Sequence, residues 1–457
     1  MKPSRSILFA CAIAVTGQAL GQAPQPKKQN VSKPVRLTAP APKPKPKQTS
    51  KPVPLAGTAA KPKSPPKPAL KVFRPKSEKL VFIGGDRVML IGDGLIEQMQ
   101  KHGYLESRLT AGNSDKKMYF RNIGWSGDTP VGIAREGLGT LQAGLEPANE
   151  GWVQLKKQIA NIKPTVAVIG YGMASSLDGS SLDKFKSDYL RLVEHIKSSA
   201  GKKNPLRLVF MSPIAHENLG GKLPDGKVHN SNLEKYREVI GDLARENDAW
   251  FVDLYRYLRT SGADTTIHMT TDGIHLNDYG YWVLAGVAEY SFSLTPSNFR
   301  FGILPAGTER QGGYGIKLSD IKITDDRVTL SGQLDALPPY YSHPKKDTAF
   351  MQRTAIGRIQ FMDLPGGSFT LAADGIEIHT ADVKEWAGGA FIDGGPDVDQ
   401  VESLRSLIVE KNELYFHRSR PQNQAYLWGF RRHEQGNNYQ EVARFEPLIR
   451  QKEQAIF

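Results

Sequence analysis

The most chemically informative run in this sequence is Thr271-Asp272-Gly273-Ile274-His275-Leu276-Asn277. An aspartate three residues ahead of a histidine can hold one imidazole nitrogen and leave the other free to take a proton, as a general base requires. Alone the pair is a weak signal, and it serves equally well to bond a loop to its neighbours. It gains weight from three polar blocks that each follow an apolar run: Ile91-Gly92-Asp93-Gly94, Asn122-Ile123-Gly124-Trp125-Ser126-Gly127-Asp128-Thr129 and Gly170-Tyr171-Gly172-Met173-Ala174-Ser175-Ser176. Open α/β sheets gather their ligands beyond the C-terminal ends of their strands. Asp93, Ser126, His216 and Asn218 are further candidates for ligand contact, with loop ordering an equal alternative for the last two.

The elements that must position these blocks are legible as apolar runs. Val88–Ile91, Tyr119–Ile123, Thr165–Ile169, Leu206–Met211 and Trp250–Leu254 read as buried parallel strands. Between them lie helical patterns: Leu182, Phe185, Tyr189, Leu192, Val193 and Ile196 recur every three or four positions. Ser231-Asn232-Leu233-Glu234 reads as a capping box opening a second helix, and Asn277 as the cap of a third from Asp278 to Glu289. This alternation predicts a flavodoxin-like, three-layer α/β domain over 77–294. A small β-rich module follows at 295–396, with hairpins expected about Asp325-Asp326 and Asp374-Gly375. Helical texture returns over 397–457.

Charge is unevenly spread along the 457 residues. Met1–Lys79 holds 17 Lys+Arg and one Glu, so the remainder of this +13 chain is slightly acidic, which argues against a nucleic-acid-binding core. Lys2 and Arg5, the apolar run Ile7–Val15 and the small residues up to Gly21 or Ala23 read as an export leader spanning 1–23. Residues 24–76 read as a disordered tether, in which prolines alternate with lysines and 14 of the chain's 30 prolines fall. Such an arm can rest on an anionic lipid or cell-wall surface, or act as a solvated spacer. The one cysteine, Cys11, excludes a disulfide scaffold and a Cys-ligated metal site. The expected location is the periplasm or envelope of a bacterium.

In order and spacing, the four blocks resemble those of the SGNH (GDSL-type) hydrolases over roughly Arg87–Ala288. His216-Glu217-Asn218-Leu219 and the carboxy-terminal run Leu414–Asn423 resemble the planctomycete-type branch. The resemblance implies an ester hydrolase without cofactor or metal. Gly127 matches the family's oxyanion glycine, His275 its base and Asp272 the base's orienter. Two positions depart. The nucleophilic serine falls on Gly94 and the oxyanion asparagine on Ala174. Loss of such a serine costs on the order of a million-fold in turnover, and loss of one side-chain oxyanion donor roughly a hundred- to a thousand-fold.

The leading expectation is therefore an exported, catalytically impaired relative retained for binding, with an acylated envelope glycan as partner. One rival is an active carbohydrate esterase using a displaced serine (Ser126, Ser175 or Ser176) or a water activated by His275. Another is a structural envelope protein with an empty cleft. His417, Arg418 and Arg420 form a separate candidate patch for a carboxylate or a sulfated sugar.

Overall fold

A computed structural model describes residues 9–14 and 76–457, apart from 77, 137–148, 180, 263–266, 296, 305–312, 325–326, 343–353, 422–423, 428–430 and 435–438. The proline- and lysine-rich run 24–75 and the Asp325-Asp326 turn lie outside the described residues. Strand β1 (Phe9–Ala14) joins the carboxy-terminal module treated below. The chain then alternates strand and helix: β2 (Arg87–Gly92), α1 (Gly94–His102), α2 (Tyr104–Ala111), β3 (Tyr119–Asn122), α3 (Glu150–Ile162), β4 (Val166–Gly170), α4 (Met173–Leu177), α5 (Leu182–Ser199), β5 (Arg207–Met211), α6 (Lys227–Glu246), β6 (Trp250–Val252), α7 (Leu254–Gly262) and α8 (Asp278–Ser291).

The five strands form one parallel sheet in the order β3-β2-β4-β5-β6. Their unbroken apolar runs follow from burial on both faces. Val88, Leu90, Val168 and Val209 pack in one core with α1, α2 and α8, while Met89, Ile91, Ile169 and Phe210 pack in a second with α3, α5 and α6. The helix ends follow local chemistry. Ser181 caps α5 at the Lys184 amide and Asn277 caps α8 at the Gly280 amide. The expected capping box at Ser231 is not a helix start: α6 already begins at Lys227, whose amide is taken by the Asp225 carboxylate at 2.9 Å. Ser231 sits one turn inside and bonds back to the Lys227 carbonyl at 3.3 Å.

The module comprises β7 (Phe299–Ile303), β8 (Gly313–Tyr314), β9 (Ile316–Ile323), β10 (Arg327–Leu334), β11 (Gly357–Phe361), β12 (Ser368–Ala373), β13 (Ile376–Asp382) and β14 (Ala390–Ile392). They form two sheets, β13-β12-β1-β10-β9 and β14-β11-β7-β8, closed over a common apolar core. The expected Asp374-Gly375 turn is present, with positive φ at both residues (51° and 81°), as a two-residue hairpin requires. Trp386 is wholly buried, and its indole N–H is shared between the Phe369 and Ala381 carbonyls. Strand β1 lies antiparallel between β10 and β12, with Cys11 opposite Leu330 and Ala373. Residues 9–14 of the expected leader's apolar run thus form a sheet strand. Helices Asp397–Ser419 and Phe445–Ile456 then return to the α/β domain, where Lys411 meets Glu106 at 2.5 Å and Arg121 meets Glu453 at 2.6 Å. No helix among the described residues is long and apolar enough to cross a membrane.

At the N-terminal end of the sheet one carboxylate ties three strands together. Asp86, fully buried ahead of β2, accepts from both Nη atoms of Arg207 on β5, from Asn204, from the Thr165 hydroxyl before β4 and from the Ile83 amide. Burial alone would raise its pKa, but the bonds from Arg207, Ile83, Asn204 and Thr165 outweigh it and hold the carboxyl below its ordinary 3.8. A depressed carboxylate contributes stability above its unfolded pKa, and that contribution fades as pH falls through the folded value. Asp86→Asn should therefore cost about 3–5 kcal/mol at pH 7 by stranding Arg207. The gap to the native chain should narrow as pH falls below 3.8, as read by urea unfolding at a series of pH values.

Candidate active site

The Asp272–His275 pair is a self-contained turn. Asp272 Oδ2 lies 2.7 Å from His275 Nδ1, and its Oδ1 accepts from the Ile274 and His275 amides at 3.1 and 2.9 Å. With Nδ1–H directed at the carboxylate, Nε2 is the nitrogen left to act as a base. Burial works to raise the Asp272 pKa, but the bonds from His275 and Ile274 hold it below 3.8, so it stays ionised as an orienter must. The imidazole is about half exposed.

This turn stands at the tip of a stapled hairpin. Thr270 bridges Leu276, and the Asn277 amide bonds the Met269 carbonyl at 2.9 Å. Glu217, which follows β5, is the brace. Its backbone N–H bonds the Gly273 carbonyl at 2.8 Å, and its carboxylate accepts from the Met269 amide, the Thr270 amide and the Thr270 hydroxyl. Gly273 itself has φ +97°, and a Cβ there would come within 2.7 Å of the His216 ring, so glycine is required.

The first three blocks meet at the C-terminal ends of β2, β3 and β4, the edge of the sheet that β5 and β6 also end on. Asp93 caps α1 at the Leu95 amide and also receives the Met173 and Ala174 amides at 3.1 and 3.4 Å, which joins the first block to the third. Burial pushes its pKa up to about 6, against the bonds from those amides. It is thus a structural joint rather than the ligand contact expected of it. Gly94 begins α1. Its φ is not positive, and a Cβ built on it would make only ordinary contact, 3.4 Å from Ser126 Oγ. The backbone at the expected nucleophile position is therefore fit for a side chain and carries none. Gly127 is exposed, with φ +77° and open space about its Cα.

Of the three candidate serines, Ser126 is the one beside Gly94. Ser126 is exposed, and its amide and hydroxyl both bond Glu97 Oε2; the other oxygen of Glu97 takes Arg420 at 2.5 Å. Arg420 also lies 3.6 Å over the Trp125 ring. Ser175 is buried. Ser176 Oγ lies 2.8 Å from His229 Nε2 and 2.7 Å from the Met173 carbonyl, and His229 Nδ1 meets His216 Nδ1 at 3.2 Å. The serine that finds an imidazole thus finds His229 rather than His275. Burial, then the neighbouring His216, lower the His229 pKa and keep it neutral. His216 is also fixed by a reciprocal backbone pair with the Asn230 amide group at 2.8 Å, and Asn218 turns back onto the Gly220 amide at 3.0 Å. Both order their own loop.

Sequence reasoning does not reach Glu97 or His229, and Glu217 enters it only within the run His216-Glu217-Asn218-Leu219. Glu97 stands one turn after Gly94 on α1, a spacing that could have found it. His229 is 53 residues from Ser176, and no local pattern announces the contact.

The parallel α/β sheet with a His–Asp turn beyond its last strand is an arrangement compatible with ester hydrolysis. Residues 91–283 match the model of the GDSL-like lipase/acylhydrolase family, the SGNH hydrolases. Among solved structures, a gut microbial diltiazem-metabolizing enzyme superposes with a TM-score of 0.55 at 16% identity, over 82% of this chain and 91% of that one. An acetylxylan esterase from Geobacillus stearothermophilus gives a TM-score of 0.36 at 16% identity, over 46% of this chain and 96% of its own. The first of these likenesses supports the fold alone. No curated protein sequence matches the chain.

The brace carries its own test. Glu217→Ala should leave the protein folded but release the Met269 and Thr270 amides, whose hydrogen exchange should rise by roughly five- to thirtyfold for a loss of about 1–2 kcal/mol of local bonding. Unchanged protection at both amides would remove Glu217 from this role.

Proposed function

We propose that this is an exported SGNH-hydrolase relative of the planctomycete-type branch that has lost acyl-enzyme chemistry and is retained to bind an acylated glycan of the cell envelope. One observation carries the reading. Gly94 heads α1 in an ordinary backbone conformation beside Ser126, with no atom able to attack an ester, while Asp272 and His275 keep a base-like pairing. Ala174 likewise offers no side-chain donor for an oxyanion. The leader and basic tether support export and attachment to an anionic surface. Cleavage after Gly21 or Ala23 would remove β1 and leave β10 and β12 without the strand between them.

The reading is tested by titrating the full chain with an O-acetylated xylobiose. Saturable binding without release of acetate is expected, weakened by His275→Ala. Steady acetate release would overturn the impaired reading, and no binding would overturn retention for a glycan.

A second reading is favoured by the Ser176–His229 bond: an esterase working through a displaced serine. Two features oppose it. The Ser176 amide is committed to the Gly172 carbonyl at 3.0 Å and cannot serve an oxyanion, and the hydroxyl has a second acceptor in the Met173 carbonyl. Acetate release abolished by Ser176→Ala but kept in His275→Ala would establish this reading in place of the first.

The loss is also expected to be reversible. Gly94→Ser supplies a hydroxyl and Ala174→Asn an oxyanion donor. Together they should hydrolyse p-nitrophenyl acetate at least about a hundred-fold faster than the native chain, by more than the two single gains combined, because groups acting as a unit are not additive. The gain should vanish on adding His275→Ala. A folded double variant without His275-dependent activity would show that the cleft has diverged beyond these two positions.

A further inference from the structure

At the other end of the sheet from the cleft lies a second concavity. Arg87 opens β2 and Gly94 follows its end, so a six-residue strand, roughly 20 Å of chain, separates the two places. The concavity is a basin of about 550 Å³ between β3, the end of α3 and the helices Asp397–Ser419 and Phe445–Ile456. That volume lies within the range of small-ligand sites.

Its lining is strongly cationic. Arg87, Lys117, Arg121, Arg418 and Arg450 face it, against the carboxylates of Glu446 and Glu453. Arg121 is matched by Glu453 at 2.6 Å, while Arg418 and Arg450 share Glu446 at 3.1 and 3.3 Å. Arg87 spends its Nε on the Lys163 carbonyl at 2.7 Å, and Lys117 lies 5.8 Å from the Phe457 ring. Among the described residues neither Arg87 nor Lys117 has a carboxylate partner within the basin. Beside these charges Tyr119 meets Phe457 edge to face at 5.3 Å, which gives the basin an apolar aromatic wall. The patch expected of His417, Arg418 and Arg420 is divided by the fold: Arg420 goes to Glu97, and Arg418 joins this second set.

We infer that this basin binds an anionic sugar, one bearing a sulfate or a carboxylate. Planar guanidinium groups match either oxyanion with paired hydrogen bonds, and the aromatic wall suits the apolar face of a sugar ring. The site is independent of the cleft and of its chemistry. It offers an envelope protein a second hold on an acidic polymer, besides its tether.

The test is calorimetric titration of the full chain with three probes: a monosulfated chondroitin disaccharide, its unsulfated uronate counterpart and neutral lactose. At least one anionic disaccharide should bind saturably at one site per chain, and lactose should not. The relative affinities of the two acidic probes report whether sulfate or carboxylate is the principal anion. Lys117→Glu combined with Arg450→Glu changes two exposed side chains, the latter 71% accessible, so folding should survive, as checked by thermal melting. The affinity should fall by at least about tenfold in this variant, for the loss of charge-assisted bonds, and should be unchanged in His275→Ala. No saturable binding, equal binding of lactose, or unaltered affinity in the basin variant would overturn the inference. Loss of affinity in His275→Ala would do so as well, by placing the sugar in the cleft.

Discussion

The arrangement of the cleft depends on one buried carboxylate, Asp93. It sits where β2 ends and takes amides from the start of its own helix, α1, and from α4 beyond β4. The two chain segments can come this close because Gly92 and Gly170 face each other: a Cβ on Gly92 would lie 2.1 Å from the Gly170 carbonyl oxygen. A charge buried among three converging amides is costly to desolvate and strongly directional once bonded. It fixes the relative position of the first and third blocks whatever residues occupy positions 94 and 174. On the proposed reading the scaffold outlasts its nucleophile, since the groups that build the site are not those that would attack a substrate.

The remaining polar groups follow the same logic. Glu217 braces the hairpin that carries Asp272 and His275, and buried Asp128 ties Arg135 and Tyr171 behind the second block. Burial raises the Asp128 pKa in spite of Arg135, the mark of a carboxylate held for structure at an energetic cost. On the proposed reading, what is missing is confined to two side chains, at positions 94 and 174. Ser126 approaches the vacated position, but its hydroxyl is engaged by Glu97, whose charge is in turn met by Arg420 from the far end of the chain. This arrangement orders the rim of the site around Ser126.

Much of this was legible in the sequence because it is local. Continuous apolar runs marked the parallel strands, since each strand has a core on both faces, and the cap Asn277 lies beside the helix it begins. The four blocks could be aligned because each occupies a single loop. Long-range contacts were not legible. Arg420 reaches Glu97 across 323 residues, and Ser176 finds His229 through the packing of α4 on α6. Ser231 misled because a capping signature resembles ordinary helix surface once an earlier residue, Asp225, has taken the cap. Phe9–Ala14 reads equally as leader or as strand, because six apolar residues suit both, and only pairing with β10 and β12 distinguishes them.

The central claim is that the cleft retains its base but holds no activated serine. Its most direct measurement is intact-protein mass spectrometry of the full chain after incubation with a fluorophosphonate, which adds covalently to activated serine hydroxyls. The account predicts an unmodified mass. Stoichiometric labelling at Ser126, Ser175 or Ser176 would contradict it.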